Sequence, residues 1–438
     1  MRAACGRMRT GAREGERRDP PGSWLVRGAE GVLEEGIIKT APPLDRASPG
    51  PAGVRTCRLD RIQPGYTLFS PGMGNLVCLI DAAGVLVHFW PVQRTHLCAL
   101  LPNGNLLVDR HGDEGGVEEL DPEARCVWAW RGPVHHDFQP LPDGGMVMLT
   151  HRQEPAMDGF FDPGETPQTI RNDVVVEIDR DGAVRWEFSF REHADALARL
   201  SGLPRPVRYG MRRHDGSIAM LTQADWTHSN TLEVLPDTPL GRRDPRFRAG
   251  NLLFSCRSLD VIGVIDRERS AFVWAWGPGV LDGQHQPTML ADGHILIFDN
   301  GTYRGYSVAR EIDPSTGRTV WEYRDPEGFF SPYRSGVQRL ADGNTLICSS
   351  DEGRIFEVTP QGEVVWDYHS PFWGTNRGNE GRHVYRATRY SEAEVAGLFD
   401  RKGDCAGAVG LGEDWRRRPH GFRDVLGHYQ KTMLSRSW

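Results

Sequence analysis

Apolar residues in this chain come in short runs, and the runs recur with the same turn signals between them. An apolar run leads into a Pro/Ala-Asp/Asn-Gly turn and a second apolar run. After a gap come an apolar strand ending in Asp, another turn, and a strand carrying Trp. Six copies can be laid out. The first is partial, from Leu76 to Asp81, a turn at Ala82-Ala83-Gly84, and Val85 to Trp90. The second runs from His96 through Pro102-Asn103-Gly104 to Val127-Trp128-Ala129-Trp130, and the third from His136 through Pro142-Asp143-Gly144 to Val184-Arg185-Trp186. The fourth runs from His228 through Leu252-Leu253-Phe254 to Val273-Trp274-Ala275-Trp276, and the fifth from His285 through Ala291-Asp292-Gly293 to Val320-Trp321-Glu322-Tyr323. The sixth runs from Val337 through Ala341-Asp342-Gly343 to Val365-Trp366-Asp367-Tyr368.

Each copy predicts four short strands. Asp-Gly and Asn-Gly supply the positive φ of two-residue hairpin turns, and alternation such as Val-x-Trp-x-Tyr turns successive side chains to opposite faces. A lone four-stranded sheet cannot bury both faces. Six packed radially can, with each Trp wedged between neighbouring sheets, which defines an all-β, six-bladed β-propeller. A β-sandwich pair or a β-helix suits the period less well. Closure of the ring is expected from Tyr66-Thr67-Leu68-Phe69 and from a late strand over Val384–Tyr390, which together complete the first blade and remove exposed edges. The propeller is assigned to residues 56–390. Residues 391–438 form a tail with a short helix at Ser391–Phe399, capped by Ser391, and residues 1–55 read as a disordered leader.

Composition narrows the class. The chain has 438 residues, 25% charged and 39% hydrophobic, as in ordinary soluble domains. Its net charge of −7 gives no support to nucleic-acid binding, and Arg416-Arg417-Arg418 reads as a solvated run. The eight cysteines, Cys5, Cys57, Cys78, Cys98, Cys126, Cys256, Cys348 and Cys405, include no C-x-x-C pair. They read as buried free thiols rather than a disulfide or zinc framework. The Arg- and Gly-rich start has no apolar core of a secretory signal, and no apolar run is long enough to span a membrane. A cytoplasmic location is the expectation.

The turn signal also works as a ruler. His96, His136 and His285 each stand seven residues before the turn Asn or Asp, and His228 stands nine before Asp237. Ser335 holds this place in the sixth copy, with Arg334 beside it. Equivalent positions of a propeller lie at one height around the axis, so these side chains are expected to converge at the start of the innermost strands. Converging imidazoles suit either a metal site or anion handling with a nucleophilic imidazole. Arg304 favours the second, because a guanidinium prefers planar oxyanions and would repel a cation. A metal-dependent propeller enzyme and a non-catalytic binding propeller stay open as alternatives.

The motifs Gly65-Tyr66-Thr67-Leu68-Phe69, Asp225-Trp226-Thr227-His228-Ser229-Asn230, Gln284-His285, Phe298-Asp299-Asn300-Gly301 with Arg304, and Arg382-His383-Val384-Tyr385-Arg386-Ala387 carry a resemblance. In them the sequence resembles the PAPS-independent arylsulfotransferase family of six-bladed propellers. The resemblance implies sulfuryl transfer from an aryl sulfate donor to a phenolic acceptor, by a ping-pong route through a sulfated histidine, with no cofactor. Carried over by position, His228 and His285 match the channel histidines, Arg304 the sulfate-binding arginine, and His383 the nucleophile. His136, His96, Asn230, Asp299, Asn300 and Arg334 are expected to line the substrate, and no metal is expected. The absence of a P-loop-type Gly-Lys-Ser/Thr motif agrees with a nucleotide-free donor. Phe329, Phe330 and Tyr333 are candidates to flank an aryl ring, although blade packing accounts for any one of them. Exported members of the family carry an N-terminal β-sandwich, of which nothing is visible here.

Overall fold

The computed structural model describes residues 25–26 and 52–404, except 72–75, 93–94, 111–114, 162–165, 206, 210, 213–217, 220–222, 373 and 377–378. The expectations for most of the leader and for the tail beyond residue 404 therefore lie outside the described residues.

Six sheets with antiparallel four-stranded cores surround an axis, and in blades two to six the first strand is innermost. Blade two spans Cys98–Arg131, blade three Val134–Ser189, blade four Ser229–Trp276 and blade five His285–Arg324, each in simple up-and-down order. Blade six takes its first strands from Gly336–His369 and gains a fifth, outermost strand, Gly53–Cys57, which pairs with Val364–His369. The leader boundary at residue 55 thus falls inside a strand, because the outer edge of blade six recruits that segment. Blade one is closed as expected: the late strand Val384–Tyr390 lies innermost, against Tyr66–Pro71, Leu76–Ile80 and Leu86–Pro91. The chain is thereby tied at both ends of the ring.

The alternation of side chains explains the core. In blade four Leu252 and Phe254 pack toward blade three, with Val147, Val175 and Phe188, while Leu253 between them packs toward blade five, with Ile295 and Ile297. Two-residue periodicity sends neighbours to opposite faces, so each blade feeds two seams. Six buried apolar clusters result, one at each seam. The tryptophans of the outer strands do more than fill space. The indole Nε1 of Trp90 donates to Asp121 O of blade two, Trp128 to Arg180 O of blade three, Trp186 to Ser270 Oγ of blade four, Trp321 to Pro360 O of blade six and Trp366 to Ala82 O of blade one, at 2.8–3.1 Å. Each bond crosses a seam to the next blade's turn and contributes about 1 kcal/mol.

The hairpins differ from the two-residue turns expected. Leu141 N donates to Gly145 O and Gly144 N to Leu141 O, enclosing the three residues Pro142-Asp143-Gly144, with Gly144 left-handed at φ 84°. This is the type I turn with a following left-handed residue. Asp143 belongs there because its Oδ1 accepts from Gly145 N two residues on, as Asn103, Asp292 and Asp342 do for Asn105, His294 and Asn344.

The tail helix runs Glu392–Asp404. Ser391 Oγ accepts from Glu394 N while Glu394 Oε2 accepts from Ser391 N, a reciprocal cap. Its Val395 and Leu398 are buried in the seam between blades one and two. Of the six free thiols among the described residues, Cys78, Cys256 and Cys348 are buried in strands as expected, whereas Cys57 and Cys126 are exposed on outermost strands. No helix among the described residues is long and apolar enough to cross a membrane.

Candidate functional site

The innermost strands begin irregularly, and that irregularity aims the side chains. His136, His228, Gln286, Arg334 and Ser335 all have positive φ, between 44° and 76°. The pairing of the first two strands slips between Val134 and Phe138, Ser229 and Thr231, and His285 and Thr288. Bulges re-aim side chains, and left-handed non-glycine residues persist at a cost of about 1–3 kcal/mol where the surroundings over-determine them. The same distortion repeats at one height around the axis, and its effect is to bring polar groups together at the centre.

His136 Nε2 lies 3.1 Å from His228 Nε2, and His136 Nδ1 lies 2.8 Å from the Tyr385 hydroxyl. The His96 ring stacks on Tyr385 with centroids 4.9 Å apart and planes 4° from parallel. Arg334 stands over the other approach to the same ring, 5.9 Å from its centroid. Blades one, two, three, four and six thus meet at one cluster, which includes His96, His136, His228 and Arg334 of the phase ruler. The ruler did not place Tyr385.

The imidazoles of His136, His228 and His285 are each fixed by a partner on Nδ1. Asp225 Oδ2 lies 2.6 Å from His228 Nδ1, and Arg171 Nη1 stands 3.6 Å from the same carboxylate oxygen. Burial alone would raise the Asp225 carboxyl; His228 and Arg171 outweigh it and hold the carboxyl well below the usual range. Asp225 therefore keeps the proton of His228 on Nδ1 and turns a lone pair toward His136. His285 is buried in blade five, with Nδ1 2.8 Å from Asn300 Oδ1 and 3.1 Å from Gly283 O. Asn300 Nδ2 donates to Ser331 O and Arg334 O, so its oxygen faces the ring and accepts. The proton of His285 is thus on Nδ1 and the lone pair on Nε2. Burial, and then the charge of Arg257, lower the pKa of His285 well below the usual imidazole value, with His228 and Arg386 adding to it.

Arg257 is the residue that sequence reasoning missed. It opens the single 3-10 turn after the second strand of blade four, directly behind His228, with Arg257 N donating to His228 O. Its side chain is fully buried, and Nε, Nη1 and Nη2 have no hydrogen-bond partner among the described residues. The Tyr333 ring lies under the guanidinium at 4.9 Å. Arg386 adds a second cation, largely buried, with one nitrogen 3.4 Å from Asp137 Oδ2 and with no hydrogen-bond partner for Nε or Nη2 among the described residues. A buried cation without a counter-charge is costly; among the described residues Arg257 has none, whereas Arg386 has Asp137, and guanidinium groups are suited to oxyanions.

The other expected site residues are placed differently. Arg304 is held in its own loop: Nη1 is 3.0 Å from Asp299 Oδ2, Nη2 and Nε donate to Asp299 O and Tyr306 O, and the guanidinium lies on the Tyr306 ring. Its charge is matched by Asp299, whose Oδ1 also accepts from Asp282 N. The expected meeting of Arg304 with His228 and His285 is not among its contacts; Arg257 stands beside them instead. Asn230 spans two blades, with Nδ2 donating to Gln284 O and Oδ1 accepting from Thr231 Oγ1. It positions the His285 strand. His383 is buried with Nδ1 3.7 Å from Asp351 Oδ1 and its ring packed on Gly381, where any side chain would collide with it. Phe329 belongs to the seam between blades five and six.

Fold and site together define a six-bladed propeller whose axial end gathers imidazoles and two guanidinium groups, Arg257 and Arg386. The chain belongs to the arylsulfotransferase (ASST) family, whose pattern it matches over residues 132–371. Among curated proteins none matches. Among solved structures, a protein of unknown function from Bacteroides caccae is similar at 13% identity, covering 75% of this chain and 100% of that one, with a TM-score of 0.46. A streptogramin B lyase is similar at 12% identity, covering 76% and 86%, with a TM-score of 0.40. The virginiamycin B lyase from Staphylococcus aureus is similar at 11% identity, covering 72% and 88%, with a TM-score of 0.39.

Proposed function

We propose that the protein transfers a sulfuryl group from an aryl sulfate to a phenol through a sulfated histidine, without a nucleotide donor. Membership of the arylsulfotransferase family supports the chemistry. The observation that carries the reading is Arg257, a fully buried guanidinium with no hydrogen-bond partner among the described residues, beside a histidine held neutral.

The reaction divides among these groups. The guanidinium of Arg257 grips two oxygens of the sulfuryl group, with Arg386 supplying further positive charge as the bond to the leaving oxygen stretches. The resemblance nominates His383 as nucleophile; the geometry favours His285. Its Nε2 carries the lone pair, its charge environment includes Arg257 and His228, and burial keeps it unprotonated. His285 Nε2 bonds to sulfur as the S–O bond breaks, and the departing phenolate takes the proton that His228 Nε2 shares with His136 Nε2; before that step His228 also carries its Nδ1 proton and is an imidazolium balanced by Asp225. In the second half-reaction His228 takes the proton of the incoming phenol, whose oxygen attacks sulfur and releases His285. Asp225 orients His228 throughout, and His136 with Tyr385 extends the proton path. The stacked rings of His96 and Tyr385 offer a flat wall for the aryl group.

The test is transfer from 4-nitrophenyl sulfate to a phenol with no 3′-phosphoadenylyl sulfate present. Labelled donor alone should place one sulfuryl group on the peptide containing His285, and His285→Asn should lose both label and turnover while His383→Gln keeps the label. Label on His383 would transfer the nucleophile's role to it, and the absence of any turnover would remove the reading.

A further inference from the structure

One nitrogen from each of His135, His136 and His228 lies within 4.8 Å of the others, and all three residues are buried. His135 has no part in the transfer described above. Its Nδ1 is 3.1 Å from Asp173 Oδ1, so Nε2 is the nitrogen it offers inward. Asp173 is itself fixed, accepting from Thr227 Oγ1 and Ser229 N through its other oxygen. His228 has the same construction with Asp225 on its Nδ1. His136 has the Tyr385 hydroxyl there. Three imidazoles, each oriented by an outer partner on Nδ1, two of those partners carboxylates, form the arrangement that holds ligating histidines in place.

The spacing agrees. His136 Nε2 and His228 Nε2 are 3.1 Å apart, and two nitrogens at about 2.05 Å from a tetrahedral zinc ion are roughly 3.3 Å apart. Two lone pairs that face each other at this distance need a proton or a cation between them. Charge is also suitable: Asp173 and Asp225 stand behind the rings, and Arg171, beside Asp225, is the cation that opposes them. The reason for setting a metal aside was Arg304, and that guanidinium is matched by Asp299.

We propose that His135, His136 and His228 bind one divalent transition-metal ion of the zinc type, and that bound metal arrests sulfuryl transfer by occupying the nitrogens that relay the proton. The arrest rests on the transfer reading; the binding does not. Imidazole sets favour such ions over calcium or magnesium, and three ligands leave a fourth position for water or an anion. The second grouping of possible ligands, Asp292, His294 and Glu311, is already spent, since His294 Nδ1 pairs with both carboxylates and Glu311 also pairs with Arg339.

Full-length protein stripped with a chelator is titrated with Zn²⁺ by calorimetry and with Co²⁺ by visible absorption. The expected result is one ion per chain with the intense absorption of tetrahedral cobalt. Affinity falls about 100-fold in His135→Gln and about 10- to 100-fold in Asp173→Asn, and is unchanged in His294→Gln. Stripped wild-type protein loses transfer on addition of one equivalent of Zn²⁺, whereas His135→Gln retains it. No stoichiometric binding by the wild type, or equal binding by His135→Gln, overturns the site. If His135→Gln fails to fold, Asp173→Asn, which keeps all three rings, decides the same question. Stoichiometric binding by a protein that never transfers sulfate keeps the metal site and removes the transfer reading. Full transfer with one zinc ion bound overturns the arrest.

Discussion

Replacing Arg257 with Met removes a buried cation and leaves an apolar side chain of similar volume. The guanidinium has no hydrogen-bond partner among the described residues, and its described favourable contact is the Tyr333 ring, worth about 0.5–2 kcal/mol. Exchanging buried ionic groups for packed apolar ones is often stabilising by about 1–4 kcal/mol, so Arg257→Met should raise the melting temperature. During transfer the same guanidinium makes two charge-assisted hydrogen bonds at about 1.5–3 kcal/mol each. Losing roughly 3–6 kcal/mol from the transition state lowers kcat/KM by about 10²- to 10⁴-fold. The two effects have opposite signs. Thermal melts with and without inorganic sulfate, beside initial rates with 4-nitrophenyl sulfate, measure both. The wild-type midpoint should rise with sulfate and the variant's should not, because only a ligand bound to the native state shifts it. A variant that melts lower than wild type, still responds to sulfate, or turns over at the wild-type rate would refute the reasoning.

Asp225→Asn leaves His228 in place but no longer anchors its tautomer, so kcat should fall on the order of 10²-fold with little change in KM; steady-state kinetics with an unchanged kcat would remove the dyad. Tyr385→Phe keeps the ring on His96 and removes the hydroxyl from His136; the pH–rate profile should shift while donor affinity holds, and an unshifted profile would exclude Tyr385 from the proton path. Burial, then Arg171, lowers His135 and brings His151 to about 4 from 6.5, and burial with Arg257 lowers His285. Below pH 6.5 the unfolded chain takes up protons that the folded protein refuses, so stability should fall as pH drops from 6.5 toward 4; a melting temperature flat over that window would contradict these shifts. Ser391→Ala breaks the reciprocal cap of the tail helix and should cost about 0.5–2 kcal/mol, read by denaturant titration, with transfer by the folded protein unchanged.

Blade number, seams and closure were legible because each follows from period and turn chemistry. Leu252, Leu253 and Phe254 had to face alternate sides, and Val384–Tyr390 was needed to complete the first blade. The histidine ruler succeeded because repeats put equal offsets at equal heights. Arg257 escaped it because it follows the second strand rather than opening the first, and only the 3-10 turn at Arg257–Leu259 shows which way it points. Arg304 was matched by position to the family's sulfate-binding arginine, but a place along the chain does not give direction, and the nearest carboxylate captured it. Tyr385 was invisible as a site residue for a related reason: its strand belongs to blade one only after the chain has gone once around.

That final strand also brings Arg386 to the centre. A polypeptide still emerging from the ribosome, or one cut short by a premature stop before Val384, has five wheels of the mechanism and no hub. Such products should be inert rather than partly active, so on the proposed reading transfer reports that synthesis ran past Tyr390.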